Sequence, residues 1–451
     1  MAGDLPIKSY HFLPYSLKVL TTSIVAYNKK KKKYGELYDG YYHFLLSNGL
    51  KQQEQKAEEE LGEYLKYIKK NCRFYSQYLT NNDNLKALPI IDKHVVNKQY
   101  SEFLLNKPFF VGKSSGTTGQ PLKVPYSKNV YQKEYAFWWY HRSFGGVSRG
   151  DKIATFGGHK IADVNRDKPP FWVFNSAENQ MFFSSYHLSR KNIPQYIDEL
   201  NRYGPDFLHG YPSSLYYLAK YVLEENVQLD FKPKMIVGSS ETTLDFQRKV
   251  IEQAFNTKLF VWYGNTEFCG HITECPNGRL HVQPYHSLVR VLKNDNTDAK
   301  PGETGRLVAT NFSNYSFALI NYDIKDSVKI SEKQNCPCDK GGMLLDYVHG
   351  RIEDYIFTPE GRFVGRLDHL FKDAKYVRNG QIVQNDVNQV IIRIEKESGY
   401  STKIEEAIIK EARIRLGKTI DIQFQYVNEI EREPNGKVKF VVQNINIETQ
   451  R

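Results

Sequence analysis

The chain has 451 residues, of which 40% are hydrophobic and 25% are charged, a composition typical of a soluble globular protein with two or three domains. No apolar run reaches the ~20 residues that cross a bilayer, and the first residues lack the pattern of a secretory signal, so we expect a cytoplasmic protein without a transmembrane segment. The net charge of +11 would suit an anionic partner, but no nucleic-acid-binding motif accompanies it and the lysine run at 29–33 is typical of a solvated surface. We therefore expect no nucleic acid among the partners.

The N-terminal segment, residues 1–75, is predicted to be helical. Within it Leu61, Tyr64, Leu65 and Ile68 recur at i, i+3, i+4 and i+7, which places them in one stripe along a helix. No internal repeat and no low-complexity linker follows this segment.

A loop rich in small and hydroxyl-bearing residues follows, SSGTTGQPLKVP at 114–125. Small residues let backbone N–H groups approach a ligand closely, hydroxyls add donors, and Gly-rich loops of this kind cradle phosphates. Composition alone leaves a flexible surface loop open as the alternative. A Walker A loop is excluded, because the chain has no G-x-x-x-x-G-K-[ST] pattern.

The middle of the chain, from about 205 to 265, alternates short apolar runs with helical patterns. The runs are FLHG, MIVGS and LFVWYG, and alternation of this kind is typical of a parallel sheet in an α/β protein. Residues 289–312 are predicted to form two strands joined by a polar turn.

The C-terminal part has a different pattern, strand–helix–strand, typical of a compact α+β unit. Thr402 and Glu405 are predicted to form a capping box that opens the helix, and Gly417 is placed to end it. We therefore predict a large N-terminal α/β domain at 1–349 and a small α+β domain at 350–451, with the boundary at HGRIED.

Four short motifs downstream of the loop carry candidate site residues. In WYGNTE, Tyr263 could stack on a base and Glu267 could hold Mg²⁺ against phosphates. NYDIKD ends in Asp326, a candidate for binding ribose hydroxyls, HGRIED brings Arg351 to the predicted boundary, and EPNGKVKF places Lys437 after a turn. The alternatives are a core aromatic for Tyr263, a solvated carboxylate for Glu267 and a solvated lysine for Lys437.

In their order and spacing, the loop and these motifs resemble the acyl-adenylate-forming ligases. Within that superfamily the chain is most similar to the phenylacetate–coenzyme A ligase branch, and there to the capsular-polysaccharide-biosynthesis (CapK-like) type, whose pattern resembles GRIEDYIFTPEGRFVGRLDHLFK at 350–372. The resemblance runs from about residue 85 to 445. It implies a large domain with parallel sheets, a small mobile C-terminal domain, and ATP-dependent conversion of a carboxylic acid to acyl-AMP with release of pyrophosphate.

The resemblance also implies roles for individual residues. The catalytic set is Thr118, Glu267, Arg351 and Lys437, with Glu267 holding Mg²⁺ and Glu353 at the hinge between the domains. The residues implied to bind ATP are Ser114, Ser115, Gly116, Thr117, Thr118, Gly119, Lys123, Ser239, Ser240, Glu241, Tyr263, Gly264, Asn265, Thr266 and Asp326.

Two positions depart from the pattern of the resembled family. Its ribose motif has Arg and Gly where this chain has Asp323 and Lys325, which puts the local contacts in question but not Asp326. The hinge Asp is replaced by Glu353, which keeps the carboxylate and adds one methylene.

Three cysteines and a histidine form a candidate zinc set. Cys275 and His281 lie in ECPNGRLHV, and Cys336 and Cys338 lie in NCPCDK. Three thiols and one imidazole are a common structural zinc set, but the spacing fits no common finger, so reduced thiols and a core histidine stay open as the alternative. Relatives in the resembled branch carry such a site at matching places, which favours zinc. Cys72 and Cys269 are predicted to be packing residues.

The sequence leaves alternatives open for the residues of the acyl pocket and for the acyl acceptor. His159, His209 and Tyr211 are pocket candidates by their order after the loop, with core packing as the alternative for each. The acceptor of the acyl group is coenzyme A, a carrier-protein thiol, or an amine or hydroxyl of a glycan precursor in surface polysaccharide biosynthesis. A monomer and a homodimer are both open.

The rival function is a degenerate ligase that acts as a non-catalytic, zinc-containing nucleotide-binding scaffold. The intact set Thr118, Glu267, Asp326, Arg351 and Lys437 argues against such degeneration. We therefore expect an acid–thiol ligase-like enzyme of the phenylacetate–coenzyme A ligase type.

Overall fold

The structure, a computed structural model, describes residues 10–79, 85–114, 121–163, 166–349, 356–364, 367–371, 374, 376–431 and 440–445. Helices dominate the first part of the described chain, which begins with four α-helices. They are α1 (Tyr15–Lys33), α2 (Glu36–Ser47), α3 (Leu50–Asn71) and α4 (Arg73–Ser76). The apolar stripe predicted on α3 faces inward, since Tyr64, Leu65 and Ile68 are all buried.

A hairpin and two more helices lead into the main sheet. The short helix α5 (Lys93–Lys98) begins after Asp92, whose carboxylate accepts hydrogen bonds from two backbone N–H groups of its first turn. Strands β1 (Phe110–Lys113) and β2 (Lys123–Tyr126) pair antiparallel on either side of the predicted phosphate loop. The long helix α6 (Lys128–Ser143) follows, with Ser127 as its N-cap.

A twelve-stranded mixed sheet forms the centre of the molecule. Its parallel part consists of neighbouring strands that alternate with helices, as the pattern from 205 to 265 predicts. These elements are β3 (Ile153–Gly157), β4 (Trp172–Asn175), β5 (Gln180–Ser184), α7 (Ile193–Tyr203), β6 (Phe207–Gly210), α8 (Pro212–Glu224), β7 (Met235–Ser239), α9 (Asp245–Phe255) and β8 (Leu259–Tyr263), of which β4 pairs antiparallel with β5.

The other half of the sheet is antiparallel. Strands β9 (Ile272–Glu274), β10 (Leu280–Val282), β11 (Leu288–Leu292), β12 (Thr304–Thr310), β13 (Tyr322–Ile330) and β14 (Leu344–His349) extend it beyond β8 in the order β9, β10, β14, β13, β12, β11. The two strands predicted within 289–312 are β11 and β12, which pair antiparallel. The predicted α/β class is therefore confirmed, with one mixed sheet as its core.

Both faces of the parallel strands are buried, which explains their continuous apolar sequences. Phe207 of β6 packs under α6 in one hydrophobic cluster, while its neighbour Leu208 packs under α7–α9 in another. Successive side chains of a strand point to opposite faces, so one strand contributes to two cores.

The C-terminal region is a separate α+β layer. A two-stranded ribbon, β15 (Ile356–Phe357) with β16 (Phe363–Val364), precedes a four-stranded sheet of β17 (Val377–Asp386), β18 (Gln389–Lys396), β19 (Asp421–Val427) and β20 (Val441–Gln443), and α10 (Thr402–Leu416) crosses it. The predicted capping box is wrong, because Ser401 is the N-cap and Thr402 already lies in the first helical turn. Gly417 ends α10 with a positive φ of 94°, as predicted.

No helix among the described residues is both long and apolar enough to pass through a bilayer.

Candidate active site

The carboxyl ends of the parallel strands β6, β7 and β8 open into one cavity of about 1550 Å³. Ligand sites of open α/β sheets lie at this edge, because the loops that follow the strands meet there. Nine of the predicted ATP-binding residues line this cavity, together with the predicted Mg²⁺ ligand Glu267; the nine are Ser114, Ser239, Ser240, Glu241, Tyr263, Gly264, Asn265, Thr266 and Asp326. The strand-edge wall, defined here as Ser239, Tyr263, Glu267 and Asp326, is therefore assembled from three separate chain segments.

Tyr263 and Asp326 are joined across this wall. The Tyr263 hydroxyl donates a hydrogen bond of 2.6 Å to Oδ2 of Asp326. Burial raises the pKa of Tyr263 well above its ordinary value, and the neighbouring Asp326 carboxylate raises this pKa further. Tyr263 therefore stays a hydrogen-bond donor at neutral pH and fixes the orientation of the Asp326 carboxylate.

Glu267 is positioned by the turn that follows β8. Within this turn Asn265 accepts a hydrogen bond of 3.1 Å from the backbone N–H of Cys269, and Phe268 adopts a positive φ of 51°. The Tyr322 hydroxyl donates to Oε1 of Glu267 over 3.1 Å. A carboxylate held in this way at the cavity is a suitable ligand for a hard divalent cation.

The predicted phosphate loop is described only at its two ends. Ser114 is buried, and its hydroxyl accepts a hydrogen bond of 2.9 Å from the backbone N–H of Leu122, which closes the base of the β1–β2 hairpin. Lys123 begins β2, opposite Lys113. The predicted residues between these ends lie outside the described residues: Ser115, Gly116, Thr117, Thr118 and Gly119.

The segment after β7 binds the neighbouring helix. Glu241 accepts hydrogen bonds from the backbone N–H of Ser213, at 3.1 Å, and from its hydroxyl, at 3.0 Å. Because Ser213 lies in the first turn of α8, this carboxylate complements the positive end of the helix dipole. Ser240 has a positive φ of 68°, which turns the chain sharply at the cavity.

Of the three acyl-pocket candidates, His209 lines the cavity, and His159 and Tyr211 do not line it. His209 shares a hydrogen bond of 2.8 Å with the Ser239 hydroxyl, and burial lowers its pKa well below the ordinary value. The His159 ring packs edge-on against Phe182, and burial lowers its pKa to about 3. Tyr211 precedes α8 and lines a second, smaller cavity.

No residue predicted from the sequence lies on the wall that faces His209. On α6, Glu134 and Trp138 line the cavity, and Arg142 is fully buried behind them, between the indoles of Trp138 and Trp262. These three residues, the α6 wall, lie four residues apart and therefore on one face of the helix. That spacing, E-x₃-W-x₃-R, is the signal that could have identified them.

The α6 wall is charged and imperfectly paired. Glu134 shares a hydrogen bond of 2.7 Å with His286, whose ring stacks on His271. Among the described residues, Nε2 of His271 and both Nε and Nη2 of Arg142 contact no hydrogen-bond partner. Burial lowers the pKa of Arg142, and Glu134 opposes this shift. Glu134, His271 and His286 also have ligand atoms within 4.8 Å of one another, which is close enough for a divalent ion.

The four predicted zinc ligands come together beside the β9–β10 hairpin. Sγ of Cys336 lies 3.8 Å from Sγ of Cys275 and 3.3 Å from Sγ of Cys338, and Nε2 of His281 lies 3.3 Å from Sγ of Cys338. Nδ1 of His281 is hydrogen-bonded to the carbonyl of Gly341 over 3.1 Å, which directs Nε2 toward the thiols. Three thiols and an imidazole in this arrangement fit tetrahedral zinc. Cys72 and Cys269 are buried away from this set.

The C-terminal region meets the main sheet through a few polar contacts. Lys160 and Glu411 form an ion pair of 2.8 Å, and Arg415 approaches the Tyr186 hydroxyl at 3.5 Å. The smaller cavity lies at this junction and is lined by Tyr211, Arg362 and Arg415 among others. Arg351 and Lys437 of the predicted catalytic set and the predicted hinge residue Glu353 lie outside the described residues.

Comparisons with known proteins support the resemblance drawn from the motifs. Residues 356–444 match the sequence model of the CapK C-terminal domain family. The chain is 27% identical to Protein CapK of Staphylococcus aureus over 454 residues, which cover 97% of this chain and 99% of that protein.

Solved structures with the same fold are ligases. The crystal structure of 2-hydroxyisobutyryl-CoA ligase with 2-HIB-AMP and CoA in the thioesterification state matches with a TM-score of 0.53 and 15% identity, covering 86% of this chain and 90% of that one. The same enzyme in the postadenylation state matches with a TM-score of 0.50 and 14% identity, covering 87% and 90%. These matches confirm the predicted resemblance to CapK, and they show that the chain shares the fold of a solved CoA ligase.

Proposed function

Because the chain carries a CapK C-terminal domain and has the fold of the adenylate-forming ligases, we propose that it activates a carboxylic acid with ATP and transfers the acyl group to an acceptor. One observation carries this proposal: the predicted nucleotide residues of three chain segments meet at a single cavity beyond the ends of β6, β7 and β8. A structural role alone gives no reason for two carboxylates, Glu267 and Asp326, to be held at that cavity by tyrosine hydroxyls.

The first step is the attack of a substrate carboxylate oxygen on the α-phosphorus of ATP. The bond from this phosphorus to the bridging oxygen breaks, and pyrophosphate leaves with the electron pair. In our proposal Asp326, fixed by Tyr263, accepts hydrogen bonds from the ribose hydroxyls, and the backbone and hydroxyls of 114–119 surround the phosphates together with Lys123. Ser239 and Ser240 would contact the adenine, and Gly264 to Thr266 would contact the adenine and the α-phosphate.

Negative charge builds up on the phosphorus oxygens during this step, and cationic groups and hydrogen-bond donors would stabilise it. Thr118, Arg351 and Lys437 are proposed for this role on the basis of the resemblance. Glu267 would hold Mg²⁺, which when bound neutralises phosphate charge; its carboxylate at the cavity fits that ion.

The second step is the attack of the acceptor on the acyl carbon, with AMP as the leaving group. We propose coenzyme A as the acceptor, as in a phenylacetate–coenzyme A ligase-like enzyme; the matched ligase was solved with CoA. A carrier-protein thiol or an amine or hydroxyl of a glycan precursor is the second candidate, favoured by the name of the CapK relative, which suggests a capsule-related role.

We further propose that the chain divides into a large domain at 1–349 and a small domain at 350–451, which rotates about Glu353 between the two steps. The Lys160–Glu411 ion pair that joins the two parts is partly exposed. Exposed pairs contribute only about 0–1 kcal/mol, so this contact would open at little cost.

Cys275, His281, Cys336 and Cys338 are proposed to bind one structural zinc ion. Protein prepared without added metal should contain about one zinc per chain, as a closed four-ligand site implies. Cys336→Ser should lose this zinc and lower the unfolding temperature, whereas Cys72→Ser, a control at a thiol outside the set, should keep it. Retention of full zinc content by Cys336→Ser would contradict the assignment.

The proposed function is tested by exchange of labelled pyrophosphate into ATP with a panel of acids. A ligase should show exchange that depends on one class of acid, and product analysis with coenzyme A should then give the thioester. Binding of ATP without exchange for any acid would favour the degenerate scaffold. Exchange without thioester would favour a carrier protein or a glycan precursor.

A further inference from the structure

Helix α1 exposes its apolar side and buries its polar side. Its apolar stripe, defined as Leu17, Leu20, Ile24 and Tyr27, repeats at i, i+3, i+7 and i+10, so these residues lie along one side of the helix. Their exposed fractions are 45%, 55%, 54% and 53%. The buried residues of the same helix are Lys18, Thr22 and Ala26.

Polar contacts hold α1 against the rest of the molecule. Lys30 donates a hydrogen bond of 2.7 Å to the carbonyl of Ala177, and Lys33 forms a partly buried ion pair of 2.8 Å with Glu178. The Ser23 hydroxyl accepts a hydrogen bond of 3.0 Å from the backbone N–H of Ser176. The apolar stripe is therefore not what docks this helix on the protein.

An apolar stripe on the outside of a helix is costly in water. Surface helices normally turn their apolar side to the core, because burial there removes apolar side chains from water. Phe12, three residues before the start of α1, is a further apolar side chain with 82% exposure. Clustered apolar side chains of this kind mark a surface that is buried against something else.

The charges around the stripe indicate what covers it. From Tyr10 to Gly35 the sequence contains six lysines and no acidic residue. Lys31 lies one turn beyond Tyr27, with its ammonium group 4.6 Å from the centre of that ring, and Lys31 and Lys32 are both exposed. Lysines beside an apolar stripe are typical of helices that lie in the interface of an anionic membrane.

We propose that α1 binds the surface of an anionic lipid bilayer. The helix lies in the plane of the interface, with the apolar stripe at the boundary between headgroups and acyl chains and with Lys31 and Lys32 among the lipid phosphates. This binding is peripheral, and it does not depend on the proposed ligase activity.

The test is co-sedimentation of the full-length protein with phosphatidylcholine vesicles, with and without phosphatidylglycerol. Binding is expected only when phosphatidylglycerol is present, and added salt should weaken it. Leu20→Asn/Ile24→Asn should weaken binding about 10-fold or more, because two apolar anchors are removed. Lys31→Gln/Lys32→Gln should weaken it about 30-fold, because two charges near the surface are lost.

Matched substitutions outside α1 control for nonspecific hydrophobic adsorption to vesicles and for the change in net charge. Leu46 and Leu104 are exposed leucines outside α1, and Leu46→Asn/Leu104→Asn should bind vesicles like the parent chain. Lys51→Gln/Lys66→Gln makes the same charge change on α3 and should also bind normally.

Three results would overturn the proposal. The first is no binding to either kind of vesicle, and the second is equal binding to both kinds. The third is an equal loss of vesicle binding in the control variants and the α1 variants. Concentration-dependent self-association that Leu20→Asn/Ile24→Asn abolishes, without vesicle binding, would instead assign the stripe to a contact between two copies of the chain.

Discussion

The strand-edge wall and the α6 wall face the same cavity but are built in opposite ways. On the strand-edge wall the carboxylates of Glu267 and Asp326 each accept a hydrogen bond from a tyrosine hydroxyl. On the α6 wall Arg142 is buried with two nitrogens that contact no partner among the described residues. Burying a polar group without a hydrogen-bond partner costs free energy. Among the described residues, this cost arises on the α6 wall and not on the strand-edge wall.

Under the proposed function, this difference separates a general task, binding the nucleotide, from a specific one, binding the acid. A nucleotide is the same in every turnover, so the groups that hold it can be fixed in advance by the protein. A ligand that enters the cavity on the other side meets the Glu134 carboxylate and the Trp138 indole of the α6 wall, with Arg142 buried behind them. We therefore expect changes in the strand-edge wall to affect every acid equally, and changes in the α6 wall to alter which acid is used.

The largest effect is expected at Lys437, which we propose to serve the general task by stabilising charge on the reacting phosphate. Lys437→Ala should lower acid-dependent pyrophosphate exchange by about 10²–10³, because one preorganised charge contact to the reacting phosphate is lost. With synthetic acyl-AMP the same variant should still transfer the acyl group, since the small domain is proposed to have turned away. Rapid assays of the two half-reactions measure both effects.

Lys439→Ala is the matched control for this variant and should retain nearly all of the pyrophosphate exchange and of the acyl transfer. Equal loss of both half-reactions in a folded Lys437→Ala protein would mean that Lys437 is structural or that the domain does not rotate. Full retention of exchange would transfer the role to Lys439 or Lys123.

A smaller effect on the same wall is expected at Asp326. Asp326→Asn should raise the KM for ATP about 10- to 100-fold, since hydrogen bonds to a charged group are worth about 1.5–3 kcal/mol. The ratio of rates between two acids should stay unchanged, because the ribose contact is common to both. A change in acid preference would show that the two walls are not separate in function.

The α6 wall should give the reverse result. Glu134→Gln should change the KM for the acid by about 10-fold and alter the order of preference within an acid panel, because a single contact in a pocket discriminates between substrates by about 1–3 kcal/mol. The KM for ATP should stay unchanged. Glu63→Gln, at an exposed position of α3, is the matched control. If Glu134→Gln changed the KM for ATP and left the KM for the acid unchanged, Glu134 would belong to the nucleotide site.

The same contrast explains what the sequence could predict. Tyr263, Asn265 and Glu267 lie within five consecutive residues, so one strand and its turn determine their positions, and a short motif is enough to recognise them. Glu134 and His286 are far apart in the chain, and only the packing of α6 against the loop after β10 brings them within 2.7 Å. No local pattern encodes that contact.

Individual side-chain orientations were also beyond the sequence. Glu241 lines the cavity, and its carboxylate accepts two hydrogen bonds from Ser213 at the start of α8. The α/β class could be predicted because apolar runs and helical periods alternate along the chain, whereas the antiparallel order of β9 to β14 depends on pairings between distant strands.

The smallest effect distinguishes the two tyrosines of the strand-edge wall. Tyr263→Phe removes the hydroxyl that holds Asp326 and should raise the KM for ATP about 2- to 10-fold, the value of one hydrogen bond of about 0.5–1.5 kcal/mol. Tyr322→Phe removes the donor to Glu267 and should instead raise the Mg²⁺ concentration needed for half-maximal exchange by a similar factor. Each variant serves as the other's control, because both lose a single phenolic hydroxyl. Since Asp326 is assigned to ribose and Glu267 to the cation, identical responses to ATP and Mg²⁺ in both variants would contradict that division of roles.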